Sequence, residues 1–143
     1  MDCTLKLFLK AKKIDLLEQP FYIYRQARQG AATTSYKSKR VEDTMNFVIK
    51  WNEISKQTQS KELQQCINNF VQYQYSIVVG MLFLLKKQEK QLLYSKVKQY
   101  EKLLENGKGK KGKLVHYSYK IFGFNITGKI MGVWIKNKEK IRR

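Results

Sequence analysis

One proline, two cysteines and one histidine in 143 residues remove most of the chain breaks and metal chemistry that a protein of this length can carry. Pro20 alone interrupts the backbone donors, so long stretches are free to be helical. His116 has no cysteine or histidine nearby, which excludes zinc-ligand spacing and assigns it a surface or partly buried structural role. Cys3 and Cys66 stand far apart with no secretory signal ahead of them; the expectation is a reduced, cytosolic compartment and no disulfide. The longest apolar run, nine residues from Ile77 to Leu85, is far short of the ~20 needed to cross a bilayer. It reads as a buried core helix.

Acids are also scarce. Eleven Asp and Glu against 29 Lys and Arg leave a formal charge of +18. The excess is spread along the chain: 6 basic and 3 acidic groups in residues 1–35, 16 and 7 in 36–113, 7 and 1 in 114–143. Such a field concentrates phosphate, whether in a nucleotide sugar, an anionic lipid or a nucleic acid. Nucleic acid is the weaker partner, because the lysines lie on helical patterns without zinc-finger spacing, a recognition helix or an aromatic RNA-binding motif.

What remains is rich in helical period. Leu5, Leu7, Phe8 and Leu9 predict a helix through about Lys13. Val41, Met45, Val48 and Trp51 make one stripe of a helix from Ser38 or Arg40 to Ser55, widened by Phe47 and Ile54 and opened by Glu42 and Asp43 in its first turn. Ser60 then caps a helix carrying Leu63, Ile67, Phe70, Val71 and Tyr75 into the apolar run. Leu92, Val97, Tyr100, Leu103 and Leu104 continue as another helix, which stops near Asn106 and Gly107. These three helices predict an antiparallel bundle.

The tract Asn106 to Lys113 lacks the Gly-Lys-Ser/Thr ending of a nucleotide loop and reads as a solvated basic linker. Beyond it, Ile126, Ile130, Val133, Trp134 and Ile141 share one side, edged by Lys129, Lys136, Lys138, Lys140, Arg142 and Arg143. A Trp between an apolar and a cationic face suits a membrane surface, and equally a helix that closes the bundle with Trp134 inside.

Phe21-Tyr22-Ile23-Tyr24-Arg25-Gln26-Ala27-Arg28-Gln29-Gly30 reads as a short strand delivering arginines to a loop. A guanidinium fork there suits an anion with paired oxygens, and Gly30 lets backbone N–H groups approach the same oxygens.

In that context the chain, from Asp2 through Trp51, resembles the end of the catalytic domain of bacterial family-2 glycosyltransferases of the GT-A type. In that family a Glu-Asp-x-Asp motif opens a Leu- and Lys-rich helix, then come an Ala-Lys-Ile strand, a proline and a Tyr-Tyr-Arg-Gln-x-x-x-Gly-Ser loop. The matching residues are Asp2 to Leu9, Ala11 to Ile14, Pro20, and Tyr22 to Gly30. The stretch Tyr119 to Thr127 is similar to the end of the helical region appended to wall and capsular polysaccharide members.

The resemblance implies an inverting transfer of sugar from a nucleotide-sugar donor to a lipid-linked or polysaccharide acceptor, on the inner face of the plasma membrane. It places Asp2 beside the catalytic base, with the base itself and a bound Mn or Mg ion in a half that precedes Met1. No cofactor is expected in this chain, nor activity from it alone. Tyr24, Arg25 and Arg28 are the candidates for the donor diphosphate or acceptor side. Thr33 and Thr34 are lesser ones, since Ala31 stands where the family has serine.

The expected architecture is mainly α. An incomplete α/β remnant of the catalytic domain spans residues 1–36, a helical bundle 37–105, a Gly/Lys linker 106–113 and a basic amphipathic helix 114–143. The competing reading is a non-catalytic basic helical module that binds an anionic membrane or a protein partner.

Overall fold

The structure, a computed structural model, describes residues 2–15, 18, 38–107 and 109–141. Within them the protein is helical: α1 (Asp2–Lys10), α2 (Ser38–Gln57), α3 (Lys61–Leu84), α4 (Lys87–Lys98), a 3-10 turn (Glu101–Glu105) and α5 (Lys110–Ile141). No strand occurs among the described residues, and the Phe21 to Tyr24 strand expected of the α/β remnant lies outside them.

The α2 stripe forms as its spacing requires. Val41, Met45, Val48 and Trp51 are all buried, with the Phe47 ring tilted against Trp51 at 6.0 Å and meeting Phe70 of α3 edge-on at 5.9 Å. Each such side chain taken fully from water contributes about 1.5–3 kcal/mol. The turn into α3 is closed by polar groups. Ser55 Oγ donates to Asn68 Oδ1 at 2.6 Å, Gln64 Nε2 donates to the Ser55 carbonyl, and the Ser60 hydroxyl accepts the Leu63 N–H as the expected N-cap.

Helix α3 is the axis of the molecule, with α2, α4, the 3-10 turn and α5 all against it. The run Ile77 to Leu85 is core, as its composition requires: Val78, Val79, Met81 and Leu82 are buried. Tyr75, equally buried, donates its hydroxyl to the Val97 carbonyl at 2.7 Å and so ties α4 to the axis. Burial and the nearby Glu101 push that phenol well above its ordinary pKa.

Three expected boundaries shift. The helix expected to carry Leu92 through Leu104 to near Asn106 ends at Lys98, and Leu103 and Leu104 are buried instead from the 3-10 turn that follows. Helix α1 ends at Lys10, because Lys10-Ala11-Lys12-Lys13 offers no apolar face to bury. The basic linker is shorter than expected, since Lys110 to Lys113 form the first turn of α5. That turn is held in place by Gln72, whose Nε2 donates to the Leu104 carbonyl at 3.3 Å and the Gly112 carbonyl at 3.4 Å.

The C-terminal helix is not straight. Gly123 adopts φ 69°, ψ −178°, a conformation essentially reserved for glycine, and α5 reverses there. Before the corner the helix runs alongside α3 from Gln72 toward Phe83; after it the chain returns along α3 from Phe83 toward Ser76. Phe124, just past the corner, is buried between Phe83 at 6.0 Å and Tyr94 at 5.8 Å.

The returning half fits because Gly128 and Gly132 present bare backbone to α3. A Cβ at Gly128 would lie 2.3 Å from the Phe83 ring, and one at Gly132 would lie 3.2 Å from the Gly80 carbonyl oxygen. Ring and backbone cannot yield as a flexible chain end does, so Gly128→Ala is expected to cost about 1–3 kcal/mol in urea denaturation. Gly109→Ala, with nothing within 4 Å, is the control and shifts stability by less than about 0.5 kcal/mol.

Candidate functional site

Of the residues expected to form a donor or acceptor site, Tyr24, Arg25, Arg28, Thr33 and Thr34 lie outside the described residues. Asp2 is described and sits in the first turn of α1, where the helix dipole favours a carboxylate. Three donors converge on it. Lys50 Nζ reaches Oδ2 at 2.7 Å, Trp51 Nε1 donates to Oδ1 at 3.0 Å, and Lys6 Nζ lies 3.2 Å from Oδ2.

The Lys50 hydrogen bond, reinforced by Lys6 and Trp51 against a partial loss of solvent, holds the Asp2 carboxyl down to about 2. The same contact raises Lys50 above its ordinary value. This acid is therefore a permanent anion near neutrality, an acceptor that joins α1 to the buried tryptophan of α2.

Apart from that clamp, α1 is scarcely embedded. It has no buried residue: Leu7 is 69% exposed, Phe8 and Leu9 are about half exposed, and Ile14, past the helix end, is exposed as well. Beneath Phe8 and Leu9 a shallow groove of about 210 Å³ runs to Trp51, Leu63 and Phe70.

The surface of α5 supplies a second candidate region. Trp134 is not in the core: it is 48% exposed, with Ile126, Ile130 and Val133 also exposed and Lys138 Nζ 5.0 Å from its ring centroid. Lys129 and Lys136 are exposed beside them, whereas the side chains of Lys140 and Ile141 lie outside the described residues.

Between the two halves of α5 and α3 the reversal at Gly123 leaves a wedge-shaped cavity of about 360 Å³. Leu114 and Val115 form one wall, Ile130, Met131 and Trp134 the other, and Tyr73 and Ser76 of α3 the floor. At its inner end the Ser118 and Thr127 hydroxyls meet at 3.2 Å, a contact that helical residues nine apart make only where the helix folds back. Lys111 stands at the edge. Sequence reasoning missed this cavity; its only signal was Gly123 inside an otherwise helical pattern.

Lys90 of α4 lies 3.7 Å above the Phe83 ring, where loss of solvent and the charge of Lys129 lower its pKa. His116 is half-buried, and its Nδ1 has no hydrogen-bond partner among the described residues. Cys3 and Cys66 are free and exposed. Among the described residues no group of three or more His, Cys, Asp and Glu is placed to hold a metal ion, and no helix is long and apolar enough to cross a membrane.

No family model matches the chain, and neither a curated protein nor a solved structure does.

The Asp2 clamp has a pH signature. Its folded-state pKa is below the ordinary 3.8, so its contribution is complete above about pH 3.8 and is lost as pH falls through about 2. Trp51 emission, read in a Trp134→Phe background, is expected to change across that interval. Asp2→Asn should abolish the acid transition; a transition unchanged by Asp2→Asn would assign it elsewhere.

Proposed function

We propose that this chain is the C-terminal part of an inverting family-2 glycosyltransferase, and that it contributes the helical region of an enzyme working on the inner face of the plasma membrane. The observation that carries the reading is α1. Its inner side is pinned to α2 through Asp2, while Leu7 is largely exposed and Phe8, Leu9 and, just past the helix end, Ile14 are roughly half exposed. The last helix of a larger α/β domain, separated from its sheet, has that character.

In this reading the donor-binding half packs on α1 and supplies both the base and the divalent ion. The described residues offer no ligand set for that ion. Asp2, beside the base, fixes the end of the catalytic domain on the helix that follows. Tyr24, Arg25 and Arg28, with Thr33 and Thr34, remain the residues proposed to meet the donor diphosphate or the acceptor. The nucleotide sugar and the glycan acceptor are the partners of the joined enzyme.

A second reading, a basic helical module resting on an anionic membrane, is favoured by the exposed Trp134 with its lysines. The two are compatible in location and differ in chemistry.

Joining this chain to a family-2 donor-binding half is the test. Transfer from nucleotide sugar is expected only in the joined protein, and Leu7→Asp should abolish it. The same substitution should move the unfolding free energy of the 143-residue chain by less than about 0.5 kcal/mol, because Leu7 is exposed there. Turnover by the chain alone, or full transfer with Leu7→Asp, would contradict the reading.

A further inference from the structure

We propose that the wedge between α3 and the two halves of α5 takes one hydrocarbon chain of an anionic membrane phospholipid, with the headgroup at Lys111. The inference deepens the membrane-surface reading, since it gives that surface a specific site.

The cavity has the shape of such a site. Its volume of about 360 Å³ lies within the ~300–1,000 Å³ of ligand pockets. The walls are aliphatic and aromatic, and they continue onto the surface through Leu114, 72% exposed, and Ile130 and Trp134, each about half exposed. An apolar mouth of this kind is unfavourable in water. It becomes favourable when the mouth abuts a hydrocarbon phase and one chain enters from it.

Polar groups at the inner end are already occupied. Ser76 Oγ donates to the Gln72 carbonyl at 2.8 Å, and the Ser118 and Thr127 hydroxyls hydrogen-bond to each other at 3.2 Å. Nothing there requires a polar tail, so the occupant's buried part is hydrocarbon.

Charge names the head. Between Lys110 and Ile141 the sequence has eight lysines and a single acid, Glu139. Lys111 lines the cavity and Lys138 covers the Trp134 ring at its mouth. Each lysine near an anionic leaflet adds to the attraction. A cationic edge excludes a cationic amphiphile and leaves a sugar headgroup without compensation. It fits phosphate joined to an alkyl chain.

The corner at Gly123 makes the site possible. A straight α5 would carry Leu114 and Trp134 ~30 Å apart along one axis instead of onto facing walls.

Dodecyl phosphate below its micelle concentration is the soluble probe, read by Trp134 emission, with Trp134→Phe leaving only Trp51 as the silent control. The expected result is a saturable blue shift with one probe per chain. Inorganic phosphate should produce none, and dodecyltrimethylammonium should bind at least about tenfold more weakly. Lys111→Glu and Leu114→Asp change exposed side chains, so each should weaken binding about tenfold with an unchanged urea midpoint.

Sedimentation with phosphatidylcholine vesicles, with and without phosphatidylglycerol, runs beside it. Binding that needs phosphatidylglycerol and falls in both variants supports the site. Equal sedimentation of wild type and variants overturns the site and leaves the membrane-surface reading standing. No sedimentation at all, with dodecyl phosphate still saturable, overturns the phospholipid and the surface reading together. A shift with phosphate alone, or no saturable shift, also overturns the proposal.

Discussion

The close approach of α5 to α3 is the constraint on which the molecule's organisation rests. Gly128 and Gly132 bring bare backbone against Phe83 and the Gly80 carbonyl, and Gly123 turns the chain so that this approach is reached at all. Without the turn, Phe124 leaves its place between Phe83 and Tyr94. The first half of α5 would then stand without its second, and the wedge beside α3 would not exist. Helix α3 can afford an almost continuous apolar run because α2, α4 and the folded-back α5 surround it.

Two surfaces follow from where that core is complete and where it is not. At the N-terminal end α1 is fastened by one carboxylate to Lys50 and Trp51 and otherwise shows apolar side chains outward. On the far side of α3 the walls of the wedge open beside Trp134 among lysines. The first suits a protein body with its own hydrophobic layer, and the second suits a charged lipid leaflet. The charge of +18 gives the whole chain a field that attracts phosphate-bearing surfaces.

Much of the bundle was legible in the sequence because its signals are local. Val41, Met45, Val48 and Trp51 keep helical period, Ser60 is a good N-cap followed by an amphipathic segment, and Ile77 to Leu85 is too short and too apolar to be anything but core. The C-terminal half was legible only as a stripe. Ile126, Ile130, Val133 and Trp134 were placed on one side, with surface and core equally open, and the reversal at Gly123 depends on a fit to Phe83 and Gly80, residues some forty positions earlier. No local pattern carries that information. Likewise the basic tract before α5 looked like a linker, because the amide of Gln72 that fastens it comes from a distant turn of α3. The Asp2 clamp was hidden for the same reason: its partners are contributed by α2.

The distance across the Gly123 corner tests this account most directly. Spin labels at Leu114 and Trp134 are separated by roughly 20 residues, which an unbroken helix would stretch over ~30 Å. A folded-back α5 requires a single distance far shorter than that, since both positions line one cavity beside α3. A dominant separation near ~30 Å would mean that α5 runs straight, that Gly128 and Gly132 do not seat against α3, and that the wedge is not a feature of this protein.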